Sequence, residues 1–181
     1  MLNEKIDLQE LVSLVSGREA PPVASWNPSV QRTIDMRIDR SGGWFYNGSS
    51  IKRERMVALF STILRREADG YYLVTPGEKL RITVDDVPFI ALLMDVTGEG
   101  VGQNLRFTDN VGNVFCADHE HPLWLQSKGE QTIPYVMVRD QLPARLAIPV
   151  YYQLADYVSF HNGVTGVWSS GEFFPLSGDK L

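Results

Sequence analysis

The chain has 181 residues, of which 44% are hydrophobic and 22% charged, so it can bury a sizeable core as one generous domain or two small ones. Its formal net charge of −5 argues against broad binding to nucleic acid or anionic lipid, because both depend on clustered positive charge. The longest apolar runs, such as PFIALLM at residues 88–94, are far shorter than the roughly 20 residues that a membrane-spanning helix needs.

The N-terminal sequence and the number of cysteines indicate the cellular compartment of the protein. The first residues mix acidic and apolar side chains, without the basic start and continuous apolar stretch of a secretory signal. The single cysteine, Cys116, cannot form an internal disulfide, which suits a reducing compartment. We therefore expect a cytoplasmic protein whose partners include neither nucleic acid nor a membrane.

Residues 1–25 predict a helix followed by an extended arm. Asp7 can cap a helix in which apolar residues repeat at helical spacing until Gly17 offers a stop. The prolines within residues 18–30 then favour an extended course over the surface of the later part of the chain.

Two α+β repeats are predicted after this arm, at residues 26–80 and 81–181. In the first repeat, IDMRI alternates apolar and polar residues and a Ser-Gly-Gly turn leads back into WFYN, which is typical of a hairpin. Residues 52–68 predict an amphipathic helix with arginines at its C-terminal end. In the second repeat, a final helix is predicted within residues 143–159, which Pro149 either begins or kinks.

The remaining segments are rich in β-formers and are separated by short polar turns, which predicts antiparallel pairing. They are residues 71–74, 78–84, 88–96, 104–109, 113–118, 122–126 and 134–139, with a further hairpin in residues 164–176. The predicted fold class is therefore α+β, with mainly antiparallel sheets and two or three helices.

The two predicted helices suggest an internal duplication. Each follows a strand that contains an arginine, Arg37 or Arg139, and YYLVTPGE (71–78) is similar to EFFPLSGD (172–179). Pairing the helices gives a period of roughly 100 residues and a duplicated strand-helix-strand unit. Chance recurrence of turn residues is the alternative explanation.

Long stretches beyond the first helix carry a family resemblance. They include FSTILRREADGYYLVTPGEKLRITVDDVPF (60–89), FYNGSSI (45–51), PYVMVR (134–139) and VYYQLAD (150–156). Through them the chain resembles the bacterial family known as domain of unknown function 1285. The resemblance implies a two-part α+β protein with repeated structural motifs. It implies no established reaction, and ligand binding or signal transduction is only a suggested role for the family.

The segment CADHEHP, residues 116–122, concentrates potential metal ligands. If its strand continues to residue 121, His119 and His121 share one face while Asp118 lies on the other. A metal site would need at least one further ligand from elsewhere. The alternative is a polar strand end at which His121 makes a structural hydrogen bond or contacts a ligand. We expect neither a metal nor a cofactor, with His119 and His121 as the only metal-ligand candidates.

Aromatic residues occur in pairs and triplets along the predicted strands and the last helix. Core packing with a few exposed rings explains them, and the alternative is a groove between the two repeats that binds a small molecule or peptide. The candidate ligand-binding residues are Asp118, His121, Tyr46, Tyr72 and Trp168.

The sequence favours a non-enzymatic bacterial module that binds a small ligand or a protein segment, in signal transduction or regulation. No catalytic residue is assigned, because a nucleophile elbow is missing and GEGVG (98–102) lacks the context of a dinucleotide fingerprint. The alternative function is a hydrolase, metal-dependent or not, whose Asp118 and His121 meet on folding. Addition of a peptide to a sheet edge and formation of a homo-oligomer remain open.

Overall fold

The computed structural model describes residues 21–176, so the helix predicted for residues 7–17 lies outside the described residues. The chain divides between Asp86 and Val87 into two units. The boundary predicted between residues 80 and 81 falls inside an unbroken strand, Glu78–Val84. Among residues 21–176, no helix has the length and apolar character that crossing a membrane requires.

The first unit is built on one six-stranded sheet. Its elements are β1 (Val30–Ile38), β2 (Trp44–Tyr46), β3 (Ser49–Ser50), α1 (Glu54–Thr62), β4 (Leu64–Glu67), β5 (Gly70–Val74) and β6 (Glu78–Val84). The strand order is β3-β2-β1-β6-β5-β4, with β1 and β6 parallel and the other neighbours antiparallel. Alternation on β6 buries Leu80 and Ile82, and Trp44 packs against Phe60 of α1 with ring centroids 6.3 Å apart.

Helix α1 is shorter than the helix predicted for residues 52–68, and that prediction is wrong for its C-terminal half. The chain enters β4 after α1, where Arg65 and Arg66 lie in a strand. Arg65 is the cross-strand neighbour of Tyr72 and donates a hydrogen bond of 2.7 Å to the carbonyl oxygen of Trp26. These contacts come from distant parts of the chain, so the helical period alone could not reveal them.

The second unit contains a six-stranded sheet, a helix and a three-stranded sheet. Its first sheet comprises β7 (Phe89–Thr97), β8 (Asn104–Asp109), β9 (Val114–Cys116), β10 (Leu123–Lys128), β11 (Gln131–Arg139) and β12 (Leu142–Leu146). Then follow α2 (Ile148–Ala155), β13 (Val158–His161), β14 (Val164–Ser169) and β15 (Glu172–Pro175). The larger sheet has the order β10-β11-β12-β7-β8-β9, with β7 and β12 parallel, and β13-β14-β15 is antiparallel.

The two six-stranded sheets share one topology, which confirms the predicted α+β fold with two structurally related repeats. Each consists of two successive three-stranded meanders, and the first strand of one meander lies parallel to the last strand of the other. The predicted period was wrong, because β1 begins at Val30 and its counterpart β7 at Phe89. The helices are not equivalent: α1 connects the meanders of the first unit, whereas residues 117–122 make that connection in the second.

Helix α2 occupies only the middle of the predicted range 143–159. Residues 143–146 belong to β12, where they pair with β11 and β7, and Pro149 lies in the first turn of the helix, so it begins the helix and does not kink it. Val150 and Leu154, four residues apart, form the buried face.

The three-stranded sheet begins with a tight hairpin. Asn162 and Gly163 form its two-residue turn with φ of 48° and 82°, which the Asn-Gly dipeptide favours. On one face the rings of His161, Trp168 and Phe173 make a cluster, with centroids 4.9 Å apart for His161 and Trp168 and 5.2 Å for Trp168 and Phe173. The hairpin predicted in residues 164–176 is present as β14 and β15.

Gly166 allows this aromatic cluster to pack, and its replacement gives a test of the fold. A Cβ atom at position 166 would lie 2.4 Å from the carbonyl oxygen of Phe174 and 2.5 Å from the Phe173 ring. We expect Gly166→Ala to lower the free energy of unfolding by about 1–3 kcal/mol, measured by urea denaturation. Gly102→Ala is the control, since no heavy atom lies within 4 Å of its added Cβ. Equal stability of the two variants would contradict this packing.

Candidate functional site

The segment CADHEHP ends a strand and closes a turn. Strand β9 stops at Cys116, and the backbone of Asp118 and His121 then exchanges hydrogen bonds of 3.3 and 3.1 Å. The premise that the strand continues to residue 121 is therefore wrong. The physical reason is the Asp118 side chain, whose Oδ1 accepts hydrogen bonds of 2.9 Å from the backbone N–H groups of Glu120 and His121 and so favours a turn over a strand.

The structure brings Asp118 and His121 into direct contact. Asp118 Oδ1 lies 2.9 Å from His121 Nδ1, and the imidazole stacks on Phe115 with centroids 5.3 Å apart. Partial burial disfavours the charged carboxylate, but hydrogen bonds from the His121 ring and from the turn backbone outweigh it and lower the pKa of Asp118. The pair thus ties the turn to the end of strand β9.

The two candidate metal ligands do not converge. The His119 side chain is 76% exposed and its nearest charged neighbour is Glu120, with Nε2 and Oε1 3.9 Å apart, whereas His121 points to Asp118. In residues 21–176, His, Cys, Asp and Glu form no group of three or more that could hold a metal ion. His161 belongs to the aromatic cluster of the three-stranded sheet.

The other candidate ligand-binding residues lie on other elements of the chain. Tyr46 is half-buried on β2 and Tyr72 is fully buried on β5, both in the first unit. The Tyr72 hydroxyl donates to Asp69 at 2.8 Å and accepts from Gln31 at 3.3 Å, and burial together with the Asp69 carboxylate raises its pKa. Trp168 is half-buried on β14 of the second unit.

A concave region of about 580 Å³ lies in the first unit, where β1 ends. It is lined by Arg37, Asp39, Arg40, Ser41 and Asp85. Arg37 donates to both carboxylate oxygens of Asp85, at 2.9 and 2.5 Å, and this ion pair lowers the pKa of Asp85. Asp39 accepts from the backbone and hydroxyl of Ser41, so these side chains stabilise the turn that they line.

An exposed apolar surface lies where helix α2 runs along strand β7. The helix is tied to the strand by hydrogen bonds from Ala147 N to Ala91 O (3.0 Å) and from Gln153 Nε2 to Met94 O (2.9 Å). Between these two bonds lie Leu92, Leu93, Ile148 and Tyr152, which are 50%, 61%, 71% and 72% exposed. We call these four residues the α2–β7 surface. Sequence reasoning missed it because a local pattern does not show which apolar residues of a helix and a distant strand stay uncovered on folding.

Comparison with family models decides the assignment of the chain. The description "Domain of unknown function (DUF1285), N-terminal domain" matches residues 21–87, and "Protein of unknown function (DUF1285), C-terminal domain" matches residues 88–176. The chain belongs to the DUF1285 family. This confirms the resemblance found in the sequence, and the two DUF1285 domains meet within one residue of the boundary between the structural units.

Solved structures of DUF1285 proteins agree with the fold. A DUF1285 family protein from Silicibacter pomeroyi is 44% identical, with 94% of each chain covered and a TM-score of 0.88. A DUF1285 family protein from Shewanella baltica is 23% identical, covers 67% of this chain and 90% of its own, and has a TM-score of 0.54, which supports the fold alone. No curated protein matches the chain.

One signal in the sequence could have revealed the α2–β7 surface of this DUF1285 protein. Helix α2 reads IPVYYQLA and has no charged residue, although a surface helix normally carries charges on its outer side. A helix without charged residues is normally covered, either by its own domain or by a partner.

The Asp118 turn generates a pH-dependent prediction. Because the folded-state pKa of Asp118 lies below that of the unfolded chain, its carboxylate stabilises the fold above the ordinary pKa of 3.8. This contribution is lost as the pH falls through the lowered folded-state pKa. We expect Asp118→Asn to cost about 1 kcal/mol at pH 7 and almost nothing at the acid end of a urea-denaturation series.

The matched control for this prediction is Glu120→Gln, which neutralises a carboxylate of the same turn that is 72% exposed. We expect it to leave the stability within about 0.5 kcal/mol of wild type at every pH. A cost of Asp118→Asn that stays constant down to the lowest pH would show that the charge of Asp118 does not stabilise the turn.

Proposed function

We propose that this DUF1285 protein is a non-enzymatic module that binds an apolar segment of another protein at the α2–β7 surface. The single observation that carries the proposal is the exposure of Leu92, Leu93, Ile148 and Tyr152 on a helix and a strand that two hydrogen bonds join. Soluble proteins rarely expose large contiguous apolar patches unless they serve association.

The exposed apolar side chains are concentrated in the second unit, which supports a binding surface there. Of the nine large hydrophobic side chains that are exposed within residues 21–176, eight belong to the second unit. Four of those eight make up the α2–β7 surface. Single exposed hydrophobic residues need no explanation, but four that are brought together by one helix and one strand favour a binding surface.

The chemistry of the helix indicates the kind of partner. Ile148 and Tyr152 lie four residues apart and share the outer face of α2, while Val150 and Leu154 hold the opposite face in the core. A rigid aromatic residue such as tyrosine is typical of the centre of a protein interface. The proposed partner is therefore a segment with several apolar side chains, and the proposed role is regulation or signal transduction.

Site-specific photo-cross-linking tests the proposal. With benzoylphenylalanine at position 152 in the full chain, we expect one recurring adduct in cells, whose protein is identified by mass spectrometry and then purified. Binding of the purified partner is measured by calorimetry with wild type and with Leu93→Lys. Truncation of central interface residues costs about 2 kcal/mol or more, so we expect Leu93→Lys to weaken binding roughly 30-fold.

Arg106→Gln is the matched control, because Arg106 is exposed on β8 and the substitution changes the charge by one, as Leu93→Lys does. We expect it to leave the affinity for the purified partner within about threefold of wild type. If the photoreactive group at position 152 gives no adduct, or if Leu93→Lys binds the partner as wild type does, the proposal fails. Stabilisation by a metabolite in a thermal-shift screen, without any protein adduct, would support a small ligand.

A second candidate function is hydrolysis at the Asp118 and His121 pair. The specific observation that favours it is the 2.9 Å contact between Asp118 Oδ1 and His121 Nδ1, since a carboxylate that orients an imidazole is a common part of a general-base site. The pair is also a sufficient explanation of the turn, which is why this candidate comes second.

His121→Asn separates these two explanations. The hydrolase candidate predicts that tag-free protein cleaves simple aryl esters and that His121→Asn loses this activity at least about 100-fold, because general-base catalysis contributes that much. His119→Asn, on an exposed neighbour, is the control and should keep full activity. Equal activity in the two variants would remove the candidate, whereas a lowered thermal midpoint of His121→Asn alone would assign His121 to the turn.

A further inference from the structure

Strand β13 is an unprotected sheet edge. The three sheets of residues 21–176 have six edge strands, and five of these are short, charged or end in proline. The strands β3 and β9 are short, with two and three residues. Charged residues lie on β4 (Arg65, Arg66 and Glu67) and on β10 (Lys128), and β15 ends at Pro175. Strand β13, VSFH, is longer than β3 and β9 and contains no lysine, arginine, carboxylate or proline.

The hairpin register shows which backbone groups of β13 face the open edge. His161 and Val164 flank the two-residue turn and form a hydrogen-bonded pair, so the pairs alternate along the strand from there. Ser159 is therefore hydrogen-bonded to β14, whereas the N–H and C=O groups of Val158 and Phe160 point outward. No described backbone group pairs with them on that side.

The side chains of β13 alternate between the two faces of the strand. Val158 and Phe160 share one face of the strand and are 41% and 75% exposed. Ser159 lies between them on the other face, and its buried Oγ has no hydrogen-bond partner within residues 21–176. Because this atom is already covered by its own chain, the open edge of β13 is defined by the backbone of Val158 and Phe160 and not by this hydroxyl.

We propose that two copies of the chain pair through β13 in antiparallel fashion, about a two-fold axis that passes beside Ser159. This register places Val158 opposite Phe160 of the second copy, and Phe160 opposite its Val158. The outward backbone groups of both residues then form two hydrogen-bonded pairs, which supply four backbone hydrogen bonds. The two Ser159 residues face each other in the close pair between them.

A second copy fits this edge better than an unrelated strand. Antiparallel self-pairing matches each exposed Phe160 with a Val158 of the other copy. The strand carries no lysine, arginine or carboxylate, so an edge that meets its own copy suffers no repulsion between formal charges of these groups. Pairing also joins two three-stranded sheets into one of six strands, in which β13 is no longer an edge. This inference is independent of the α2–β7 surface.

Disulfide trapping tests the register. It uses the full chain with the substitution Cys116→Ser, so that the added cysteine is the only one. Residues in the close pair of an antiparallel ladder have Cα atoms about 4.5 Å apart, within the range that a disulfide bridges. We expect Ser159→Cys to form a covalent dimer of twice 20.4 kDa under mild oxidation. Phe160→Cys is the matched control and should stay monomeric under denaturing conditions, because its counterpart lies two positions along the partner strand and out of reach.

Sedimentation equilibrium of the protein without added cysteines gives a second readout. Phe160→Pro removes one outward N–H per copy without removing a bond to β14, and we expect it to weaken dimerisation at least roughly tenfold. Leu93→Lys, on the α2–β7 surface, should leave both the dimer and the Ser159→Cys cross-link unchanged. Wild-type protein that stays at the monomer mass while Ser159→Cys gives no dimer overturns the proposal, as does equal cross-linking of Ser159→Cys and Phe160→Cys.

Discussion

The parallel pairing of the first and last strands holds each six-stranded sheet together. In the first unit β1 lies beside β6, and in the second β7 lies beside β12. Without these pairs each unit would be two separate meanders of three strands. The pairs are central, so their side chains are buried: Ile38 and Leu80 in one unit, Ala91 and Ala144 in the other. Closing such a contact over about 50 intervening residues costs entropy, which this dense apolar burial offsets.

Four of the eight exposed large hydrophobic residues described in the second unit lie on elements that depart from this shared plan. The second unit replaces the connecting helix α1 by the turn that Asp118 closes, and it adds α2 and a three-stranded sheet after its last meander. Ile148 and Tyr152 lie on the added helix, and Val158 and Phe160 on the added sheet. A duplicated scaffold explains the two six-stranded sheets. The additions carry β13 and the two helical residues of the α2–β7 surface, whose exposure packing within the unit does not explain.

Strand patterns were the most predictable part of the molecule, because alternation and turn residues act locally. The bounds of β6 and β8 follow from the sequence to the residue. The end of α1 was not predictable, since Ile63 and Leu64 fit the apolar stripe of a helix and the buried face of a strand equally well. Pairing of Leu64 with Leu73 decides between them. At CADHEHP, one aspartate accepts backbone hydrogen bonds and so forms a turn where the sequence pattern predicted a strand. At α2, the burial of each side chain depends on neighbouring elements that the helical period does not reveal.

The two proposed surfaces are linked through a short stretch of chain. Only Asp156 and Tyr157 separate the end of α2 from the start of β13, so the helix that carries Ile148 and Tyr152 is fixed close to the proposed dimer edge. Two-fold pairing at β13 would present two α2–β7 surfaces related by the same axis. A partner with two apolar segments would then bind the second site at a high effective concentration, so that weak individual contacts would add up to tight binding. In that arrangement the self-association of β13 would control affinity at α2, and regulation of the dimer would regulate partner binding.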